Sequence, residues 1–217
     1  MRFLMLLLVL MGPVQAQQGA AGGIPPRQLV PLQVMGRARF EAKKLMDETV
    51  KGNFPKVISR MHPGYVKAIS RPYGGPEKFK ATMLKMMMEM GGNGIAVQAG
   101  ITRDPQTAFE VDWGARDILV DGKPVLDANG KPKQEFAFRQ WMVYVPTEMT
   151  VTMKNGDKME KRLMEGFQIA LSPKRNENWT FINGATVSPI QLRKVFPFLP
   201  KDPALLKFPK VVRPKIK

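Results

Sequence analysis

The spacing of apolar residues changes once along this chain, and that change constrains the fold more than any other feature. Up to Gly92 apolar residues recur every three or four positions, as on one face of a helix. From Ile95 to Phe181 they alternate with polar residues, as on a strand. Helices followed by a run of strands are typical of an α+β fold. We therefore predict N-terminal helices packed on one face of a curved antiparallel sheet.

The same pattern and its breaks define individual elements. The predicted helices span 38–50, 54–61, 65–69, 76–91 and 188–195. The methionine-rich face of the helix that begins at Pro76 is expected to face a core. The segment 136–145 is apolar at successive positions, which predicts a central strand covered on both sides. Asn155 and Gly156 lie between two alternating runs and predict a hairpin.

The first 16 residues have the features of a secretory signal peptide. Arg2 supplies a positive start, 3–11 are apolar, and a break at Gly12 and Pro13 precedes a small-residue cleavage site at Ala16. The apolar run is about half of the roughly 20 residues that a transmembrane helix needs, so no membrane span is predicted. We expect an exported protein, periplasmic or extracellular, whose mature chain begins near Gln17.

Both ends of the mature chain are predicted to extend from one domain. Residues 17–37 are rich in Gly and Pro and are expected to form a flexible leader. Residues 201–217 carry spaced prolines and an excess of bases, which predicts a solvated basic tail or, alternatively, an extension in polyproline form that lies on an acidic partner. The folded α+β domain is therefore predicted to span 38–200, closed by a short C-terminal helix and an apolar strap at 196–200.

The composition and the absence of known motifs exclude several kinds of functional site. The chain has no cysteine and one histidine, His62, which excludes a disulfide framework and any metal site built from cysteines or several histidines. Residues 127–130 resemble the start of a calcium loop, but the later ligands are missing, so a plain turn is predicted. No Gly-rich phosphate loop or Gly-x-Ser-x-Gly elbow occurs. We predict no metal and no cofactor.

The chain is strongly basic. It has 34 Lys and Arg against 18 Asp and Glu, a net charge of +16, and removal of 1–16 with its single Arg leaves 33 against 18, or +15. Because the charges are spread along the chain, they can serve solubility alone. Otherwise such a field in an exported protein favours anionic envelope components or acidic proteins as partners. Nucleic acid is a poorer fit, because no basic strand interleaved with stacking aromatic residues occurs.

The end of the chain resembles a known family. The segments 178–184 (NWTFING), 188–193 (SPIQLR) and 196–200 (FPFLP), after helices and long strands, resemble exported bacterial members of the nuclear-transport-factor-2-like superfamily, also called cystatin-like or SnoaL-like. The resemblance implies a cone-shaped barrel whose open end can hold a small molecule. It also implies that the protein can form a homodimer through the sheet. Some members of that superfamily are isomerases or dehydratases, and others only bind a partner.

Enzymes of the resembling fold place an Asp or His, often with a Tyr, inside the cone, where burial tunes the pKa. The acid/base candidates in this chain are His62, Tyr65, Asp112 and Tyr144. Each has a structural alternative. His62 can simply be a partly exposed helix-end residue before Pro63, and Asp112 and Glu110 can both be solvated strand charges.

Three further residues are candidates for ligand binding. Arg139 could clamp a carboxylate or phosphate, or it could pair with Asp112 or Glu165 across the sheet. Trp113 and Trp141 could stack on a ligand, although Trp141 is most simply explained as a core aromatic residue. Two functions remain open: a noncatalytic binding or interaction domain, and a small-molecule isomerase or dehydratase. The second requires at least two candidates to converge in a closed apolar pocket.

Overall fold

A computed structural model describes residues 29–155, 158–174, 178–200, 202, 206–209 and 211, without the side chain of Asn155. The predicted signal peptide and 17–28 of the predicted leader lie outside the described residues. The helices are α1 (Leu32–Val50), α2 (Phe54–Ser59), α3 (Pro63–Ile69), α4 (Pro76–Gly92) and α5 (Pro189–Val195), with a 3-10 turn at Arg71–Tyr73. The strands are β1 (Ala96–Thr102), β2 (Thr107–Asp117), β3 (Leu119–Val120), β4 (Lys123–Pro124), β5 (Gln134–Asn155), β6 (Lys158–Pro173) and β7 (Thr180–Asn183). The predicted α+β class is confirmed.

The first helix begins earlier than its sequence pattern indicates. The structure starts α1 at Leu32, whereas the predicted leader extends to residue 37. Pro31 occupies the N-cap position, and its carbonyl oxygen accepts hydrogen bonds from the backbone N–H groups of Val34 and Met35. A proline just before a helix lacks only an N–H that the helix does not use, so Pro31 precedes α1 instead of preventing it.

The main sheet is built around β5, which has 22 residues. One edge of β5 pairs antiparallel with β2 along its first half and with β1 along its second half. The other edge pairs with β6, and β6 pairs with β7. Asn155 pairs with Lys158, so a connection of two residues joins β5 to β6, as the hairpin prediction requires. The described strands do not close into a barrel.

Helices cover both faces of this sheet, not one. Ala38 and Ala42 of α1 pack in a cluster with Val143 of β5. Tyr65 of α3 and Leu192 of α5 belong to a second cluster with Met142 and Tyr144. Successive strand residues point to opposite faces, so the two clusters lie on opposite sides of β5. We call them the α1 face and the α5 face.

Two burial predictions hold only in part. The central strand is buried on both faces from residue 142 to residue 145, but Phe136 near its start is 63% exposed. The methionines of α4 do not face a core along their whole length, because Phe79 is the only buried residue of that helix, which the structure describes throughout. Apolar periodicity identifies the face of an element, but it does not show that another element covers that face.

Candidate functional site

His62 is held rigidly at the start of α3. It is the N-cap residue of that helix, and its Nδ1 accepts a hydrogen bond from the backbone N–H of Tyr65 at 3.1 Å. Its own backbone N–H donates to the Phe181 carbonyl oxygen at 2.9 Å, which ties the helix to β7. Because Nδ1 accepts, the neutral ring carries its proton on Nε2.

The sheet brings Asp112 and Arg139 into the same neighbourhood as His62. The His62 side chain hydrogen-bonds to the Gln140 side chain. Gln140 Nε2 in turn donates to Asp112 Oδ2 at 3.2 Å, and Arg139 Nη2 donates to Asp112 Oδ1 at 3.2 Å. We call these four residues the polar cluster. Of the alternatives for Arg139, the structure therefore shows pairing with Asp112 and not with Glu165.

Asp112 has an unusual backbone conformation for a strand residue. Its φ is +61°, in the left-handed region of backbone conformations, which residues other than Gly, Asn and Asp rarely adopt. The ladder does not shift around it, since Val111 pairs with Gln140 and Trp113 pairs with Phe138. A regular strand would direct Asp112 to the face opposite Val111, away from the side chain of Gln140. The left-handed residue instead lets its carboxylate reach Gln140.

Burial dominates the electrostatics of His62, which is only 7% exposed. Burial lowers the pKa of His62 to about 4, although the charge of Asp112 and the hydrogen bond with Gln140 oppose that shift. The ring is therefore neutral at pH 7 and donates from Nε2 to the Gln140 amide oxygen. Through Gln140, the Asp112 carboxylate can polarise the His62 ring. The burial of the imidazole leaves it little contact with solvent.

The two tyrosines do not join the polar cluster through their hydroxyl groups. The hydroxyl of Tyr65 hydrogen-bonds to Thr186, and burial raises the pKa of Tyr65. Tyr144 is fully buried, and burial raises its pKa strongly. Among the described residues its hydroxyl has no hydrogen-bond partner. Tyr144 therefore lies inside the fold, and its hydroxyl makes no hydrogen bond to His62 or Asp112.

Aromatic side chains and the end of the chain fill the space around Tyr144. The rings of Phe109, Phe167 and Phe208 lie 5.3 to 5.6 Å from the Tyr144 ring, centroid to centroid. Leu206 is fully buried in the same cluster. The segment 206–208 is thus part of the core, and the prediction of a solvated tail from residue 201 is wrong for it. Lys207, between the two apolar residues, has a φ of +45°.

Trp113 and Trp141 do not form a common ligand site. Trp113 stacks on Phe136, with ring centroids 5.0 Å apart, on the α5 face. Trp141 lies on the α1 face, where the Lys174 ammonium group is 4.5 Å from its ring centroid. Lys174 also forms an ion pair with Glu110, which is 1% exposed. Glu110 is therefore a buried, paired carboxylate and not a solvated strand charge.

A surface groove lies between α1 and β1. It has a volume of about 650 Å³, and its lining comprises Gly36, Arg39, Phe40, Lys43 and residues 100–104. A second groove of about 350 Å³ continues it past Asp47, Val50 and Lys51. Neither groove includes any of the predicted acid/base residues.

The groove is basic and half open to solvent. Arg39, Lys43 and Arg103 line it with Asp104 as the one acidic residue among its lining. The side chains of the three bases pair with Asp104, Asp47 and Glu148 respectively, yet they are 45%, 58% and 60% exposed. Each base therefore keeps donors available to an incoming anion.

Sequence reasoning missed the role of Gln140, the burial of the C-terminal segment 206–208 and the groove. The signal for Gln140 was its position between Phe138 and Met142 on an otherwise apolar strand face. The signal for the C-terminal segment was the alternation of Leu206, Lys207 and Phe208. The groove has no comparable signal, because its two walls are about 60 residues apart in the chain.

Comparison with protein-family models, with curated proteins and with solved structures found no match for this chain.

Among the described residues no group of three or more His, Asp or Glu side chains is placed to hold a metal ion. Asp127 accepts hydrogen bonds from the backbone N–H groups of Asn129 and Lys131, which closes a turn. No helix in the described part of the chain combines the length and apolar character that crossing a bilayer requires.

Proposed function

We propose that this protein is a noncatalytic binding domain whose groove between α1 and β1 takes an anionic, extended partner. The basic lining of that groove is the observation that carries the proposal. The three bases that line it each pair with an acid, yet their side chains are 45% to 60% exposed and can donate to an anion, and the net charge of the whole chain is +16. A field of that sign attracts acidic partners and raises their rate of association.

The topology of the sheet supports an extended partner. β1 pairs with β5 along one edge, and no other described strand pairs with it. Residues 99–102, along which the two grooves run, belong to that strand. A strand with a free edge presents backbone N–H and C=O groups that an extended peptide can use for added strand pairing. We therefore favour an acidic polypeptide segment over a compact ligand.

Phe40 strengthens the groove as a binding surface. Its ring is half exposed on α1 and lines the groove. The Lys44 ammonium lies 4.5 Å and the Arg37 guanidinium 5.4 Å from the ring centroid. An exposed aromatic residue among cations offers an apolar contact to the aliphatic part of an acidic side chain while the cations meet its charge.

Fluorescence anisotropy with a short labelled oligoglutamate peptide tests this proposal. The wild-type chain is expected to bind the peptide with an affinity that falls as salt is added. Lys43→Glu reverses one charge of the groove and should weaken binding about tenfold, about 1.4 kcal/mol. Lys67→Glu changes the net charge equally, but it lies on α3, away from the groove, and should leave the affinity within about twofold.

Equal losses for Lys43→Glu and Lys67→Glu would show that only the overall charge matters, and the groove would no longer be the site. Inorganic polyphosphate serves as a competitor. If polyphosphate binds as a flexible anion but fails to displace the peptide, backbone pairing at β1 contributes beyond charge. If the wild type binds neither probe, the proposal is wrong.

The polar cluster favours a second candidate function, a small-molecule enzyme of the isomerase or dehydratase type. What supports it is the strained backbone of Asp112 beside a polarised His62, because such backbone strain is enriched at active sites. The filled space around Tyr144 weighs against it. Native mass spectrometry of the purified chain distinguishes the two candidates, since a bound small molecule would favour the enzyme and an empty chain the binding domain.

We further propose that the chain is exported and that it resembles the nuclear-transport-factor-2-like superfamily. What supports export is the pattern of 1–16. What supports the resemblance is the order of helices before an antiparallel sheet and the closing segments of the chain. A cone shape and a homodimer remain predictions from that resemblance.

A further inference from the structure

α4 runs beyond the part of the fold that covers it. Its first turns are anchored by Phe79, which is buried with its ring centroid 5.1 Å from that of Tyr73, and the helix packs on α2 and α3. Further along, Met83 and Met87 are half-buried, while Met86 is 52% and Met90 is 46% exposed. The exposed thioether groups therefore lie on the same helix as the buried Phe79, a few turns after it.

These four methionines share one face of α4. Met83 and Met87 are one helical turn apart, as are Met86 and Met90, and the two pairs are offset by three residues. At about 100° per residue they fall within an arc of roughly 100°, and neighbouring positions place their Cβ atoms about 5–6 Å apart. Two rotatable bonds separate each Cα from its sulfur atom, so sulfur atoms at neighbouring positions can converge, whereas those of Met83 and Met90 are about 10 Å apart along the axis and cannot reach the same ion. Met88 projects from the opposite side of the helix.

The chemistry of these side chains selects a particular class of ligand. Thioethers are soft, uncharged donors that prefer Cu(I) over Zn(II) and the hard cations. The chain has no cysteine to compete as a softer ligand, and its single histidine is buried on α3. We propose that Met83, Met86, Met87 and Met90 form a thioether site on the exposed face of α4 that binds one Cu(I) ion through three sulfur atoms at a time, either those of Met83, Met86 and Met87 or those of Met86, Met87 and Met90.

This site is independent of the groove, because it lies on a different helix and uses no charge. The metal sites excluded by composition are built from cysteines or several histidines, whereas this site uses methionine sulfur atoms. An apolar docking surface would use the same face, but it would treat leucine and methionine alike. The sulfur atoms therefore provide the distinction that an experiment can measure.

Competition with the Cu(I) chelator bicinchoninate, under anaerobic conditions with ascorbate, tests the site on the full chain. We expect one equivalent of Cu(I) to move from the chelator to the wild-type protein, and Ag(I), which has the same preference for soft donors, to bind with the same stoichiometry. A variant with Met83→Leu, Met86→Leu, Met87→Leu and Met90→Leu should bind at least about 100-fold more weakly. Leucine keeps the apolar volume and the helix propensity, so circular dichroism should show an unchanged fold.

Met88→Leu and Met159→Leu are the matched controls, since both residues are exposed methionines outside the proposed site. They should leave the affinity unchanged, and Zn(II) should not bind. The proposal is overturned if the wild type takes no Cu(I) from the chelator. It is equally overturned if the fourfold leucine variant binds Cu(I) as tightly as the wild type.

Discussion

At the scale of single residues, His62 links the stability of this protein to pH. Burial lowers its pKa to about 4 in the folded state, whereas an exposed histidine has a pKa near 6.5. Between these two values the unfolded chain binds a proton that the folded chain excludes, so the free energy of unfolding decreases as pH falls. We predict a decrease on the order of 1 kcal/mol for each pH unit below 6.5, down to the folded pKa. Urea unfolding at a series of pH values measures it.

His62→Gln is the control for that prediction. The chain has one histidine, so no other side chain of that type titrates in this range. The variant loses the titrating group, and its stability should vary little between pH 6.5 and 5 whatever its absolute value. A wild-type profile that is flat in this window would contradict the buried, neutral His62 that the structure shows.

Single residues also show what a sequence pattern leaves out. The approximate positions of Asp112 and Arg139 on facing strands could be predicted, and so could their pairing as one alternative. The left-handed backbone of Asp112 could not, because alternation describes side-chain faces and not local exceptions to them. Gln140 was visible as a polar residue on an apolar face, but its bond to His62 depends on how α3 meets the sheet.

At the scale of elements, the C-terminal segment 206–208 should contribute substantially to stability. Leu206 is fully buried in the cluster that contains Tyr144, although it follows several prolines in a basic tail. We predict that Leu206→Ala lowers the free energy of unfolding by about 2–5 kcal/mol, because it leaves a cavity in the core. Denaturant unfolding provides the measurement.

Val211→Ala, a nearby truncation at an exposed position, should change stability by less than about 0.5 kcal/mol. If Leu206→Ala lowers the free energy of unfolding no more than this control, the segment 206–208 is not part of the folded core. The space beside Tyr144 would then be open, which would strengthen the enzyme candidate at the expense of the binding domain.

The helices and strands were largely predictable because their apolar periods differ. Asn155 next to Gly156 also placed the β5–β6 hairpin correctly. Which faces of these elements are buried by other parts of the chain was not predictable from these patterns. The same helical spacing that describes the buried face of α1 describes α4, yet the second half of α4 is exposed. Burial depends on tertiary packing, which brings distant segments together, and a local pattern contains no information about those segments.

At the scale of the whole molecule, the net charge of +16 predicted an anionic partner but could not locate it. The location depends on the topology, which sets α1 beside the free edge of β1 and so gathers Arg39, Lys43 and Arg103 along one groove. The sheet remains open in the described residues, and both of its faces are covered where the cores lie. The groove is thus a property of the assembled fold.

Amide hydrogen exchange of the wild-type chain, with and without oligoglutamate, tests the central claim most directly. Our account predicts slower exchange along part of β1 (Ala96–Thr102) when the peptide is bound, because an added strand would occupy its free edge. Exchange in the α5 face cluster should not change. Peptide binding that protects no part of β1, or that protects residues around His62 and Asp112 instead, would contradict the assignment of the groove as the binding site.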